Sequence, residues 1–335
     1  IVFSTEGAGE FINQAGAGVF TVGSGKRWLV YSKTPDLVGD VHTEKGGLTS
    51  AFRLYGKTYA SDAPGSISLS GNGFIYATAG SNTLSLRATI VGAASHVYGD
   101  TPTGSLGYIV SSGFLDSEDD ISTIGLTGTA LYSGVLDNTL NAGAHTFSYL
   151  GGLSSPSYTL LVDDTAVSYT VTTAPLTYVA HAASRAYGDV NPAFGGTLTG
   201  FKLGQDISVL TGSPVWSSAA TVTDGVGQYA ITGSGYSSSN YHFVQAAGNS
   251  TALTITPRAI TLTADAQSRV YGNANPTTGA FTLGGAGLVN GDTLASLVDV
   301  SSNATLTSGV GNYTLTPSSA TFTQGSASNY SISYA

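Results

Sequence analysis

Along AITLTADA (Ala259 to Ala266), apolar Ile260, Leu262 and Ala264 alternate with Thr261 and Thr263. That period of two turns one strand face inward and a hydroxyl face toward water. TALTITP (Thr251 to Pro257) repeats the pattern with Leu253 and Ile255. No stretch free of Gly and β-branched residues places apolar side chains at i, i+3, i+4 and i+7, so no helix is predicted. Pro175 and Pro257 follow such strands. Having no N–H for a ladder, they mark module boundaries.

The strand pattern is itself repeated. SHVYGDTP (Ser95 to Pro102), SRAYGDVNP (Ser184 to Pro192) and SRVYGNANP (Ser268 to Pro276) put Tyr98, Tyr187 and Tyr271 at spacings of 89 and 84 residues. That is the length of one small β-sandwich domain. Three more landmarks follow each Tyr in the same order. GFLDSEDDIS, GFKLGQDIS and GLVNGDTL bring Asp120, Asp206 and Asp292 into line, and AGAHTFSY, GVGQYAIT and GVGNYTLT do so for Phe147, Tyr229 and Tyr313. SPSYTL, SSNYHF and ASNYSI carry Tyr158, Tyr241 and Tyr330. After Tyr330 only five residues remain, against sixteen after Tyr241 up to and including Pro257, so the last module is expected to lack its closing strand.

Residues 1–79 lack these landmarks. GVFTVGSGKRWLVYSKTPD (Gly18 to Asp36) is a short strand run between Gly-rich turns, with Trp28 and Val30 on one parity and Leu29 and Tyr31 on the other. It reads as the C-terminal coils of a parallel β-solenoid, with residues 54–77 as cap. The predicted class is all-β: the end of a parallel β-helix, then three tandem Ig-like β-sandwich modules at 80–175, 176–257 and 258–335.

Composition narrows the setting. Charged residues make up 9% of the chain, far below an ordinary soluble domain, while Gly reaches 45 residues. The net charge of −9 opposes binding to nucleic acid or an anionic membrane. No apolar run approaches the length of a membrane-spanning helix. Cys and Met are both absent, which suits a bacterial surface protein stabilised by repeated cores. The chain opens at Ile1 without a signal-like segment and reads as an interior piece of a longer precursor.

The Tyr-Gly-Asp/Asn motifs at Tyr98, Gly99, Asp100, at Tyr187, Gly188, Asp189 and at Tyr271, Gly272, Asn273, with Asn240–Tyr241 and Asn329–Tyr330 downstream, resemble the MBG domain of the Tyr-Gly-X type. The first copy departs from the pattern with Ser157 where the others have Asn. KRWLVYSKTPD (Lys26 to Asp36) followed by LYGKTY (Leu54 to Tyr59) is similar to the end of a filamentous-haemagglutinin-like β-helix. The resemblance implies a secreted or cell-surface exoprotein exported by two-partner secretion. An outer-membrane secretion partner and an adhesive role toward a polysaccharide, a host surface or an abiotic surface go with it.

Within each motif, Gly tolerates the backbone a tight turn needs, Asp or Asn supports the turn through its side chain, and Tyr buries its ring. We read the motif as a fold determinant. Asp116, Glu118 and Asp120 alternate as calcium ligands do, but Ile121 stands where an EF-hand loop needs Gly. Lys26, Arg27 and Trp28 form the densest cation–aromatic spot and the candidate glycan contact. The histidines, at 42, 96, 145, 181 and 242, show no ligand spacing, and there is neither a Gly-x-Ser-x-Gly elbow nor a phosphate loop. The expectation is a non-enzymatic adhesin stalk without a required cofactor. Alternatives are a glycan-binding module, or a fibre subunit exchanging strands between copies at the last module.

Overall fold

The computed structural model describes residues 1–5, 9–34, 45–77, 83–113, 121, 124–156 and 158–335. The protein is all-β, with three short 3₁₀ turns and no α-helix among the described residues. Among the described residues no helix is long and apolar enough to cross a membrane. It divides into two compact units, Ile1–Thr173 and Ala174–Ala335.

The first unit opens with β1 (Val2–Ser4), β2 (Leu29–Ser32), β3 (Phe52–Tyr55) and β4 (Gly73–Tyr76), all parallel in the order β1-β2-β4-β3. The last two are interchanged relative to the sequential stacking of solenoid coils. Every residue of β2, β3 and β4 is buried, as a parallel sheet covered on both faces requires. The parity read from the sequence separates the faces: Trp28 and Val30 pack with Phe74 and Tyr76, while Leu29 and Tyr31 pack with Phe52 and Ile75.

The first repeat copy follows, with β5 (Thr83–Val91), β6 (Ser95–Val97), β7 (Ser105–Ser112), β8 (Thr127–Tyr132), β9 (Gly143–Phe147), β10 (Tyr149–Ser154), β11 (Thr159–Val162) and β12 (Val167–Thr172). In the second unit the second copy has β13 (Ala174–Ala180), β14 (Ala183–Ala186), β15 (Gly196–Thr199), β16 (Thr211–Ser217), β17 (Gly227–Tyr229), β18 (Thr232–Ser237), β19 (Tyr241–Gln245) and β20 (Leu253–Thr256). The ladders of these two copies agree strand for strand. Each has three small sheets: β11-β5-β7 and β15-β13-β19, β6-β12-β9 and β14-β20-β17, and the pairs β8–β10 and β16–β18. The closing strands β12 and β20 lie at the centre of a sheet, parallel to the strand before the Tyr-Gly-X turn and antiparallel to a third.

The third copy comprises β21 (Arg258–Ala264), β22 (Thr278–Gly279), β23 (Phe281–Gly285), β24 (Thr293–Leu294), β25 (Val298–Ser302), β26 (Leu315–Ser318), β27 (Phe322–Gln324) and β28 (Tyr330–Tyr334). It keeps the first ladder as β23-β21-β28. No strand matches β20, and neither 267–270 nor 311–313, the counterparts of β14 and β17, is a strand. A strand at mid-sheet supplies the hydrogen-bond partners of both neighbours, so without it both revert to coil.

Closing-strand alternation carries the burial. Tyr169 and Val171 of β12, and Leu253 and Ile255 of β20, point inward while the intervening Thr170 and Thr254 do not. Ile255→Ala is expected to cost about 3 kcal/mol, against less than about 0.5 kcal/mol for Val310→Ala on the open surface. Denaturant titration of the two variants measures the difference.

Candidate functional site

Each Tyr-Gly-X motif is a hydrogen-bonded turn. The fourth residue's N–H returns to the carbonyl three back: Asp100 to Val97 at 2.9 Å, Asp189 to Ala186 at 3.1 Å, Asn273 to Val270 at 3.1 Å. The intervening Gly99, Gly188 and Gly272 have φ of 79°, 81° and 86°, the positive value a type II turn requires at that place. In the first two copies the Tyr N–H also donates to the end of the closing strand, Tyr98 to Thr172 O at 2.8 Å and Tyr187 to Thr256 O at 2.9 Å. Their rings are 3% and 4% exposed, against 63% for Tyr271.

The downstream tyrosines Tyr241 and Tyr330 hold the GFKLGQDIS and GLVNGDTL loops. Tyr241 Oη accepts from Lys202 N at 2.9 Å and donates to Gln205 Oε1 at 2.7 Å. Tyr330 Oη accepts from Val289 N at 3.1 Å and donates to Asp292 Oδ2 at 2.8 Å. The structural partner of Asp292 is thus Gln205, one residue before the Asp206 that the sequence aligned with it. Asp206 instead caps a 3₁₀ turn through Ser208 N at 2.8 Å, and this hydrogen bonding holds its carboxyl below the ordinary range.

Rings of the same tyrosines make joints. Tyr187 meets Tyr330 edge-on, with centroids 5.6 Å apart at 81°, and one apolar core runs through the second and third copies. Arg258 Nη1 reaches Asp189 Oδ1 at 2.8 Å and its Nη2 reaches Ala286 O at 2.8 Å. Asn290 Nδ2 donates to Val222 O at 2.9 Å, and Val226 N donates to Asn329 Oδ1 at 3.0 Å. In the first unit Tyr55 meets Tyr158 in the same way, at 5.2 Å and 72°, and Gly56 after it has φ of 63°. LYGKTY therefore carries a Tyr-Gly joint of its own. The dipeptide was legible in the sequence, but without the other landmarks around it the role was missed.

The remaining predicted residues lie apart from these joints. Trp28 is 2% exposed, its ring against Phe20 and Phe74. Arg27 donates to the carbonyls of Pro64, Ile67 and Leu69, while Lys26 is exposed. Asp116, Glu118 and Asp120 lie outside the described residues, as does His42. Among the described residues no group of three or more His, Asp or Glu is placed to hold a metal ion. His96 Nδ1 lies 3.0 Å from Tyr169 Oη, and burial lowers its pKa.

Residues 176–251 and 260–335 each match the MBG domain (YGX type) family, so this is an MBG-containing protein. Neither curated proteins nor solved structures yield a match. MBG domains occur in extracellular and surface proteins, and the chain is all-β among the described residues.

Two outcomes follow for the joint between the second and third copies. A Cβ at Gly188 would sit 2.3 Å from Val289 Cγ2, whereas at Gly272 it would meet nothing within 4 Å. Gly272→Ala should therefore cost about 1 kcal/mol for its backbone alone, and Gly188→Ala about 3 kcal/mol with overpacking added, both read from denaturant midpoints. Burial, with Asp292 beside it, pushes the Tyr330 hydroxyl up to about 12 from an ordinary 10.0. Because the folded state favours the neutral phenol, the stability it supplies is intact below pH 10 and lost between pH 10 and 12. Tyr330→Phe is expected to lower stability by about 1 to 2 kcal/mol at neutral pH and to flatten that alkaline loss, as followed by thermal melts from pH 7 to 12.

Proposed function

We propose that this chain is a segment of a secreted, cell-surface-exposed bacterial adhesin of the filamentous-haemagglutinin type, exported by two-partner secretion. A β-helix end at residues 1–79 and three Ig-like modules at 80–175, 176–257 and 258–335 serve as a non-catalytic scaffold for attachment or biofilm cohesion. The observation that carries this reading is the joint between the second and third copies. It is a continuous apolar core with an aromatic contact, a guanidinium clamp and side-chain-to-backbone hydrogen bonds on either side, built from the residues that define the repeat. Support for the parallel β-helix comes from β1–β4, and support for the third module of the family from the ladders that residues 83–172 share with the second copy. The motif tyrosines Tyr98 and Tyr187 are buried in packing. The alternative of a glycan-binding module has less behind it, because Trp28 lies in the core and Trp216 packs edge-on against Tyr178 at 5.6 Å.

Trypsin tests the joint directly, since Arg258 lies at the start of β21 between the two copies. Cleavage after Arg258 under native conditions is expected to be at least 100-fold slower than in the unfolded chain; comparable rates would discard the scaffold reading. On cells, replacing residues 174–335 by an unrelated β-scaffold of equal length should preserve attachment. Loss of attachment in that exchange, with saturable binding of the purified chain to a glycan, would favour the glycan-binding module instead.

A further inference from the structure

The second copy is entered and left through strands that run the same way. The chain comes in at Ala174 along β13 and passes into β14; it goes out at Thr256 along β20, which follows β19. β13 pairs in parallel with β19 from Ala174↔Tyr241 to Tyr178↔Gln245, and β14 with β20 from Ala183↔Leu253 to Ala186↔Thr256. Tension on the two ends of the copy therefore drives the members of both pairs in opposite directions along their own axes. That load is shear. The hydrogen bonds of a sheared ladder share it and must fail together, whereas strands peeled apart from one end lose their bonds singly.

Both ladders are tied at their ends. Ala174 N donates to Asn240 O at 2.9 Å and Ala246 N to Tyr178 O at 2.9 Å, while Ala183 N donates to Ala252 O at 2.8 Å and Tyr187 N to Thr256 O at 2.9 Å. Between the ladders sits Asn249, buried in the 3₁₀ turn Ala247–Thr251. Its Oδ1 accepts from Ala180 N at 2.8 Å and its Nδ2 donates to Tyr178 O at 2.9 Å, so one amide fastens the incoming strand to the segment that leads into the outgoing one. Past Thr256, Arg258 Nη1 donates to Tyr187 O at 3.3 Å and to Asp189 Oδ1 at 2.8 Å, which locks the outgoing chain onto the turn after β14. Leu176, Tyr178, Leu253 and Ile255 of the sheared strands are all buried. Water has little access to replace the bonds as they stretch.

We propose that the second copy is a load-bearing clamp: it carries tension along the chain by shear of β13 against β19 and of β14 against β20, with Asn249 as the staple that makes the two ladders yield as one. The first copy has the same arrangement in β5 against β11 and β6 against β12. A spacer that only sets length needs none of this, since strands paired in any direction hold the same length at rest. That a load arrives in service rests on the attachment reading. The clamp itself does not, because it is measured on the purified chain, and loss of attachment in the cell test would leave it standing.

The chain has no cysteine, so paired thiol handles can be introduced where the force is to act. In the full 335-residue chain, Thr173→Cys with Pro257→Cys loads the second copy along its entering and leaving strands. Ser217→Cys with Thr232→Cys instead sits on facing residues of the antiparallel pair β16–β18 and peels it open. Single-molecule force spectroscopy at one loading rate is expected to give a rupture force about threefold higher across 173–257 than across 217–232. Asn249→Ala should lower the first force and leave the second unchanged; Asn249→Asp, which loses the donor to Tyr178 O and keeps an acceptor for Ala180 N, serves if the alanine variant does not fold. Equal forces in the two directions would overturn the clamp. A substitution at Asn249 that lowers both forces alike, or neither, would overturn its role as the staple.

Discussion

A strand at the centre of a sheet is a shared debt: its two neighbours obtain their backbone partners from it, and all three stand or fall together. β12 and β20 hold that place, and each also accepts the Tyr N–H of the Tyr-Gly-X turn. Burial of the tyrosine ring therefore follows from the presence of a strand more than sixty residues further along the chain. The third copy separates the two parts of the motif. Its turn forms from local hydrogen bonds alone, while the ring, which needs the distant strand and the neighbouring module, remains in water.

Much of this architecture was legible before any coordinates. Period-two alternation located β20 and β21, the landmark order marked the duplications, and the parity of residues 28–31 sorted two core faces. Less legible were features that depend on contacts between distant segments. The interchange of β3 and β4 leaves no trace in local pattern, since four buried residues read alike at either position in a parallel sheet. The pairing of Tyr330 with Asp292 misled the alignment because Gln205 does the same work in the second copy, an amide oxygen accepting where a carboxylate does. Tyr55 escaped notice because a Tyr-Gly pair is informative only with a partner ring, and that ring, Tyr158, lies in the next segment.

Sparse charge changes what holds such a chain together. With 11 Lys plus Arg in 335 residues, guanidinium groups serve carbonyls: Arg27 those of Pro64, Ile67 and Leu69, Arg258 those of Ala286 and Gly287 as well as the Asp189 carboxylate. Arg185 and Asn191 bind one another and the carbonyls of Thr221 and Ala220, pinning the turn to the next loop. A planar cation with five donors suits this use, because several carbonyls can be satisfied by one side chain.

The joint between the second and third copies is polar in the directional sense: one partner offers the turn tyrosine, the other the loop tyrosine, and no residue meets its own equivalent. Contacts of that kind have no closing operation, in contrast to a twofold interface that is exhausted once made. Tandem duplication of the gene can thus lengthen the array without inventing a new surface, and the number of repeats becomes a variable that selection sets by recombination, with folding energy per repeat left nearly constant.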